Sequence, residues 1–306
     1  MTAPDLSVVV LSWNSRDKTL ACLEKLSNDG SARSREIIVL DNASEDGSAE
    51  AIAERFPGVI LIRNPDNLGY SAGNNAAVAR ASGEFLCLLG SDTEVGQGSL
   101  DALISFLEGS SEYGAAAPKL LNPDGTVQAG CMRFPGLLTA FFYDTIWSKF
   151  WPGSWIERRY FMRDFDHLES ADIPQPPGTC LMMRRQEFLE MGGMDERLWL
   201  FFNDVDLCRR LWRRGRKIRY LAEIEVMHHG GVSTGAFDRF VVLWFRNRLT
   251  YYRKHYGRWS TPYMRLIVRM RALEEWFRLG RRHRNPAHAK MARADLRAHV
   301  EEILAP

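Results

Sequence analysis

Short apolar runs alternate with longer amphipathic ones through the first hundred residues, and polar residues follow the apolar runs. Leu6 to Ser12 (LSVVVLS) is a β-branched run of the buried-strand type, and Lys18 to Leu26 follows with helical apolar spacing. Ile37 to Leu40 repeats the strand signal and ends at Asp41. Ser48 to Phe56 reads as a helix, Val59 to Arg63 as a strand, Ala72 to Ala81 as an Ala-rich helix and Glu84 to Leu89 as a further strand. This order predicts an α/β fold with a Rossmann-like, mostly parallel sheet flanked by helices. Such sheets bind ligands at the carboxyl ends of their strands. Asn14, Asp41, Asn42, Ser91 and Asp92, each just after a strand signal, mark the first place to look for a site.

Composition narrows the class. In 306 residues, 45% hydrophobic and 25% charged, there is material for one large or two modest globular domains and no sign of a disordered or collagen-like chain. Cys22, Cys87, Cys131, Cys180 and Cys208 are odd in number and form no C-x-x-C pair, which disfavours a disulfide framework or a structural zinc site and suits a reducing cytoplasm. Met1 to Asp5 lacks the basic start of a secretory signal, and no run approaches the roughly 18 apolar residues of a spanning helix. A membrane would be met from its surface.

The net charge of +2 conceals an asymmetry. Residues 241 to 306 hold 15 Lys+Arg against 5 Asp+Glu, a balance of +10, while residues 1 to 240 hold 25 against 33, a balance of −8. We therefore expect a catalytic domain over 1–239 and a basic, aromatic helical extension over 240–306. Between them, Phe134 to Phe165 carries 11 of the chain's 34 aromatic residues. Trp147, Trp151 and Trp155 fall at i, i+4 and i+8, where one helical face can hold all three. That segment reads either as a packed satellite core or as an acceptor- or membrane-facing surface.

Five clusters carry the candidate chemistry. Asp41-Asn42-Ala43-Ser44 can accept a pyrimidine N3–H or a ribose hydroxyl, or simply cap the helix before Glu50. Asn67-Leu-Gly-Tyr-Ser-Ala-Gly73-Asn74-Asn75 opens a helix with small residues and is not a dinucleotide G-x-G-x-x-G. Asp92 ends an apolar strand, where one carboxylate suits Mg²⁺ or Mn²⁺ shared with substrate phosphate oxygens, or again caps a helix. Asn203-Asp204-Val-Asp206 offers a general base with an orienting acid, or else charge at the start of the helix through Arg213. His228 and His229 follow the strand-like Ile218 to Val226; adjacent residues on a strand point oppositely, so one of them can face a given site.

Together, VVVLSWNS (8–15), DNASEDGS (41–48), NLGYSAGNN (67–75), LLGSDTEV (88–95), PPGTCLMMRR (176–185), GGMDERLWLFFNDVDLCRR (192–210) and HHGGVST (228–234) resemble the family-two glycosyltransferases of the GT-A fold. PKLLNPDGTVQ (118–128) and Arg133-Phe-Pro135 bring the resemblance closest to the bacterial rhamnosyltransferases. The resemblance implies a nucleoside-diphosphate sugar donor held by Asp41 and Asp92 with Ser12, Asn14, Asn67, Gly69, Gly73, Asn74 and Ser91. It implies Asp204 as catalytic base, Gly178, Thr179, Asn203 and Asp206 at the acceptor, and Asp92 with His228 around Mg²⁺ or Mn²⁺. Two departures stand out. Asn203 replaces a frequent Glu, which removes a like charge that would raise the base pKa, and Gly90-Ser91-Asp92 keeps one acid of the usual D-x-D.

The expected reaction is inverting transfer of a sugar, foremost L-rhamnose from dTDP-L-rhamnose, to a hydroxyl of a glycan or lipid-linked acceptor in cell-surface polysaccharide synthesis. The alternatives are another donor, such as a UDP-linked hexose or galactofuranose, and a decayed sugar-nucleotide-binding protein. A nucleotidyltransferase would need a Gly-rich basic phosphate loop, for which Ser12-Trp-Asn-Ser-Arg16 is a poor match. In the tail, aromatic residues from Trp244 to Phe277 interleave with Arg and Lys, as suits an anionic membrane surface; packing on the catalytic part or in a homodimer is the competing expectation. Nucleic acid is disfavoured by the acidic first part. The expected location is cytoplasmic, peripheral at the inner face of the cytoplasmic membrane.

Overall fold

A computed structural model describes residues 3–143, 145–230, 240–282 and 286–305. Gly231 to Thr234 of the HHGGVST segment and the expected domain boundary at 239 lie outside the described residues. In chain order, the first part runs β1 (Leu6–Ser12), α1 (Arg16–Ser27), β2 (Arg35–Asp41), α2 (Ser48–Arg55), β3 (Ile60–Arg63), α3 (Gly69–Val78), β4 (Phe85–Gly90), β5 (Thr93–Val95), α4 (Ser99–Gly109) and β6 (Tyr113–Leu121). Then come α5 (Leu137–Tyr143), α6 (Trp147–Phe150), α7 (Trp155–Tyr160), β7 (Ala171–Asp172), β8 (Cys180–Arg184), α8 (Arg185–Glu190), α9 (Asn203–Arg213) and β9 (Lys217–His228). The last three are α10 (Phe240–Tyr256), α11 (Ser260–Arg282) and α12 (Pro286–Leu304). These elements fall into two compact units. One holds residues 1–132, 165–199 and 203–237, the other 133–164, 200–202 and 238–306.

The sheet unit contains all the described strands, in the order β3-β2-β1-β4-β8-β6-β9-β5 with β7 paired to β9. β3, β2, β1 and β4 are mutually parallel, which the helical crossovers α1, α2 and α3 require. β8 enters antiparallel to both β4 and β6, and beyond it β6 and β9 pair in parallel. The α/β sheet expected from the alternation is present, with antiparallel pairing in its later half. Val8, Val10, Val39, Phe85, Cys87 and Leu89 of the strands pack with Leu23, Leu26, Leu103 and Leu107 of the helices in one continuous core. α3 begins three residues earlier than the sequence predicts, at Gly69, whose N–H is accepted by Asn67 Oδ1 at 2.9 Å. All five cysteines are free and buried.

The helical unit has an aromatic core. Tyr251 and Tyr252 are fully buried, and Val242, Phe245, Val268 and Ile303 form an apolar cluster with Trp244 packed against it. The Tyr252, Tyr256 and Tyr263 hydroxyls donate to the carbonyls of Gly136, Pro135 and Leu137. Arg248 donates to the Ala140 carbonyl at 2.8 Å and lies over the Trp244 ring; burial pulls its pKa down to about 10. Many of the tail aromatics are therefore packing residues, and Trp259, Trp276 and Phe277 are the exposed ones. The single helix through Trp147, Trp151 and Trp155 is also corrected. Trp151 terminates α6, Gly153 adopts φ +70°, and Ser154 caps a new helix.

Candidate active site

The carboxyl ends of β1, β2 and β4 meet loops rich in hydrogen-bonding groups. Asp41 closes β2 and is 3% exposed. Its Oδ2 accepts the Ser44 N–H at 3.1 Å, whereas Oδ1 is buried without a hydrogen-bond partner. A buried acceptor left unpaired is costly, so this atom is where a ligand donor is due. Asp41 does not cap α2: Gly47 is the N-cap, and the Ser48 N–H goes to Asp46. Asn14, at φ +46°, accepts the Glu45 N–H at 2.8 Å and shapes the loop beside Asp41. Ser12 is fully buried in a chain of hydroxyl contacts through Ser15 and Thr19, and Ser15 passes it on to Ser91.

The 67–75 segment is locked onto β2. Asn42 donates to Asn67 Oδ1 at 2.7 Å and accepts the Leu68 N–H at 2.9 Å. The close approaches its glycines permit are to protein rather than to open space. A Cβ on Gly69, at φ +77°, would stand 2.5 Å from the Trp199 ring, and one on Gly73 would stand 2.7 Å from Leu11. Asn74 is buried and bonds back to the Tyr70 carbonyl.

Asp92 lies in the turn between β4 and β5, clear of any helix start. β5 pairs antiparallel with β9, setting Thr93 opposite His228. His228 Nε2 is 3.4 Å from Asp92 Oδ1, while its Nδ1 is 2.6 Å from Gln128 Oε1. Gln128 Nε2 donates to Asn122, so its Oε1 faces the imidazole as an acceptor and places the His228 proton on Nδ1. Nε2 is thereby directed at Asp92, the orientation a ligating histidine takes from its outer partner. Burial raises the Asp92 pKa, but His228 in its imidazolium form, with N–H on both ring nitrogens, donates to Asp92 and carries a charge that, with a smaller contribution from His229, brings it below the ordinary value. His229 points the other way, to Glu94 at 2.7 Å. Among the described residues no cluster of three acidic, His or Cys side chains could hold a metal ion. Asp92 and His228 could offer two donors, a set that would suit a cation also bound by diphosphate oxygens.

Asp204 stands in the first turn of α9, partly buried, with Oδ1 accepting the Val205 N–H at 2.8 Å. Its carboxyl pKa is raised by burial, against the lowering effect of backbone hydrogen bonds from Val205 and Gly178. The raising comes from desolvation and not from a neighbouring acid, so the Asn203 departure leaves the Asp204 carboxyl elevated. A Cβ on Gly178 would lie 2.9 Å from the Asp204 Cβ, which explains glycine there. The next residue, Thr179, accepts the Gly90 N–H at 2.7 Å and ties this peptide to the strand end before Asp92.

Two expected acceptor residues turn inward. Asp206 is fully buried and bonds Arg210 Nε at 2.7 Å, while Arg210 also donates to the carbonyls of Met191 and Gly193. Asn203 is 4% exposed and accepts the Asp204 N–H at 2.8 Å. Both fix the start of α9 and so aim Asp204. Sequence reasoning passed over Tyr70. Its hydroxyl donates to the Gly178 carbonyl at 3.1 Å. Burial raises the Tyr70 pKa, and the charges of Asp204 and, to a smaller extent, Asp92 add to that rise. Gln128 was visible only as the end of the PDGTVQ segment.

The model of Glycosyl transferase family 2 matches residues 7–191, which include the ends of β1, β2 and β4. The chain belongs to glycosyl transferase family 2. Among curated proteins, this glycosyltransferase is 31% identical over 242 residues to the N-acetylglucosaminyl-diphospho-decaprenol L-rhamnosyltransferase of Mycobacterium tuberculosis, covering 74% of this chain and 77% of the relative. It is 29% identical to the O-antigen biosynthesis protein RfbC of Myxococcus xanthus, over 76% of this chain and 18% of that one. The GT-A fold recurs in the mannosyltransferase PcManGT of Pyrobaculum calidifontis, solved with GDP-Man and Mn²⁺. There the TM-score is 0.53 at 16% identity, over 99% of this chain and 85% of the other. In the glycosyltransferase described here, Asp41, Asp92, His228 and Asp204 all belong to the sheet unit.

Proposed function

We propose that this glycosyltransferase transfers L-rhamnose from dTDP-L-rhamnose, with inversion at C1, to a hydroxyl of a lipid-linked N-acetylglucosaminyl diphosphate. The rhamnosyl group and the acceptor class follow the Mycobacterium tuberculosis relative, named as an N-acetylglucosaminyl-diphospho-decaprenol L-rhamnosyltransferase; the dTDP carrier and the inversion are our reading of the family resemblance. The observation that carries the mechanism is the place of Asp204 in the first turn of α9, set against Gly178, whose carbonyl the Tyr70 hydroxyl holds; burial raises the Asp204 carboxyl pKa. Asp204 takes the proton of the acceptor hydroxyl as its oxygen attacks C1. The bond from C1 to the diphosphate oxygen breaks, and the nucleoside diphosphate departs with the electron pair. Asp41 Oδ1 receives an N–H or O–H of the nucleoside, satisfying its buried lone pairs.

Asp92 and His228 would hold Mg²⁺ or Mn²⁺ against the diphosphate, where a divalent cation neutralises the charge of the leaving group. The enzyme works at the inner face of the cytoplasmic membrane, with the basic surface of residues 240–306 toward anionic lipid. Thermal stabilisation by dTDP, UDP and GDP sugars, each with Mg²⁺, Mn²⁺ or EDTA, tests the donor. Selective stabilisation by dTDP-L-rhamnose and rhamnosyl transfer to the lipid-linked acceptor are expected. Equal stabilisation by all three nucleotides, or transfer of a hexose alone, overturns the donor assignment.

A further inference from the structure

The helical unit exposes apolar rings where a buried core would hide them. Within ten residues of one another, Trp147, Phe150, Trp151 and Trp155 are 41, 70, 65 and 66% exposed, and Ile146 and Leu138 are exposed beside them in the sequence. Isolated exposed apolar residues are ordinary, but a run of this kind marks an interaction surface. The arrangement is fixed by the chain itself. Gly153 at φ +70° turns the chain after α6, Ser154 accepts the Glu157 N–H, and Glu157 Oε2 accepts the Gly153 N–H at 3.0 Å. Ser154 and Glu157 line a cavity of about 270 Å³ whose other walls include Phe142, Tyr143, Pro152 and Ile156. The hydrogen bonds of Ser154 and Glu157 are spent on the turn, so the cavity presents mainly hydrocarbon.

Charge identifies the occupant. The helical unit holds 21 Lys+Arg against 9 Asp+Glu, a balance of +12. Lys149, Arg158, Arg159 and Arg163 are exposed in the same segment as the rings. Tryptophan interleaved with cations is the composition that settles at the headgroup level of a bilayer.

We propose that the Ile146–Trp155 ledge inserts into an anionic bilayer surface and that the adjoining cavity receives a hydrocarbon chain from it. This rests on the reading that the acceptor is lipid-borne. It places the hydrophobic anchor on the ledge and leaves the basic helices an electrostatic part.

The test is flotation with vesicles of phosphatidylcholine, and of phosphatidylcholine and phosphatidylglycerol in equal parts. Wild type is compared with W147S/F150S/W151S/W155S at low salt and at about 1 M salt, where the Debye length falls to about 3 Å. Wild type should float with the anionic vesicles and keep part of that binding at high salt. The variant should lose at least about tenfold at both salts, while transferring sugar to a short-chain, water-soluble acceptor at the wild-type rate. Should the variant fold poorly, quenching by brominated phosphatidylcholine decides: W151F/W155F should lose much of the wild-type tryptophan quenching.

The inference falls if the serine variant floats like wild type, or if wild type transfers to the soluble acceptor yet never floats. It also falls if the variant only dissociates a dimer seen by sedimentation, or if W151F/W155F leaves the quenching unchanged. Flotation without any transfer to the soluble acceptor would sink the proposed function and leave this surface standing.

Discussion

The sheet unit holds 19 Lys+Arg against 29 Asp+Glu, and the helical unit holds 21 against 9, balances of −10 and +12. Their buried charges differ in kind as well. In the sheet unit the Asp206 carboxylate is matched by Arg210 at 2.7 Å. In the helical unit Arg248 sits between the Trp244 and Tyr252 rings and donates to a backbone carbonyl. One unit spends its carboxylates on positioning; the other surrounds cations with aromatic rings. The near-neutral +2 of the chain is thus a cancellation between an acidic unit and a basic one, to which the proposed function assigns a cation with a diphosphate and an anionic layer respectively.

The largest effect should come from Asp204→Asn. Loss of the base should lower kcat by about 10² to 10⁴, with donor binding and vesicle flotation unchanged, so that the two units separate in one variant. Stability should move the other way. The folded-state pKa of Asp204 is raised, so folding favours its protonated form; that stabilisation is present at low pH and is lost as pH rises through the folded value. At neutral pH the charge is a cost that asparagine removes, and Tm should rise. In wild type the acidic limb of kcat should lie above the ordinary aspartate value of 3.8. A limb below it, or transfer by the variant at the wild-type rate, would break the assignment.

Paired substitutions probe the buried cations. Arg210→Met leaves the fully buried Asp206 without its cation, an effect on the order of 3–5 kcal/mol. Arg248→Met removes a cation and leaves a carbonyl short of a donor, about 1–3 kcal/mol. Urea midpoints of the two variants should rank in that order, and equal losses would erase the contrast. Asp41→Ala should raise the donor KM about ten- to hundredfold through loss of a charged acceptor, with kcat little changed.

The sheet unit was the more legible of the two. The LSVVVLS run matches β1 residue for residue, since a buried parallel strand writes its length directly as apolar sequence. Asp41, Asp92 and Asp204 stood out because strand ends and helix starts are where isolated polar residues show. What the sequence did not disclose were contacts between distant segments. Asp206 resembles Asp204 in type and position, yet its role depends on Arg210 and on two carbonyls 13 and 15 residues earlier. The tail aromatics looked alike until the fold placed Tyr256 and Tyr263 against the backbone of residues 135 and 137. Trp151 followed helical spacing, and Pro152-Gly153 broke it.

The smallest effect should be the most discriminating. Tyr70 reaches Asp204 through one residue: its hydroxyl holds the Gly178 carbonyl, and the same glycine's N–H is bonded to Asp204. Tyr70→Phe removes one hydrogen bond, worth on the order of 1 kcal/mol, and kcat should fall about fivefold with the donor KM unchanged. The Gly178 N–H lowers the Asp204 pKa, so a slackened peptide should move the acidic limb of kcat to higher pH. A tyrosine that merely packed would lower Tm without moving that limb. A shifted limb at nearly unchanged Tm would make the hydroxyl a positioning group for the base, and an unmoved limb would return Tyr70 to the core of the sheet unit.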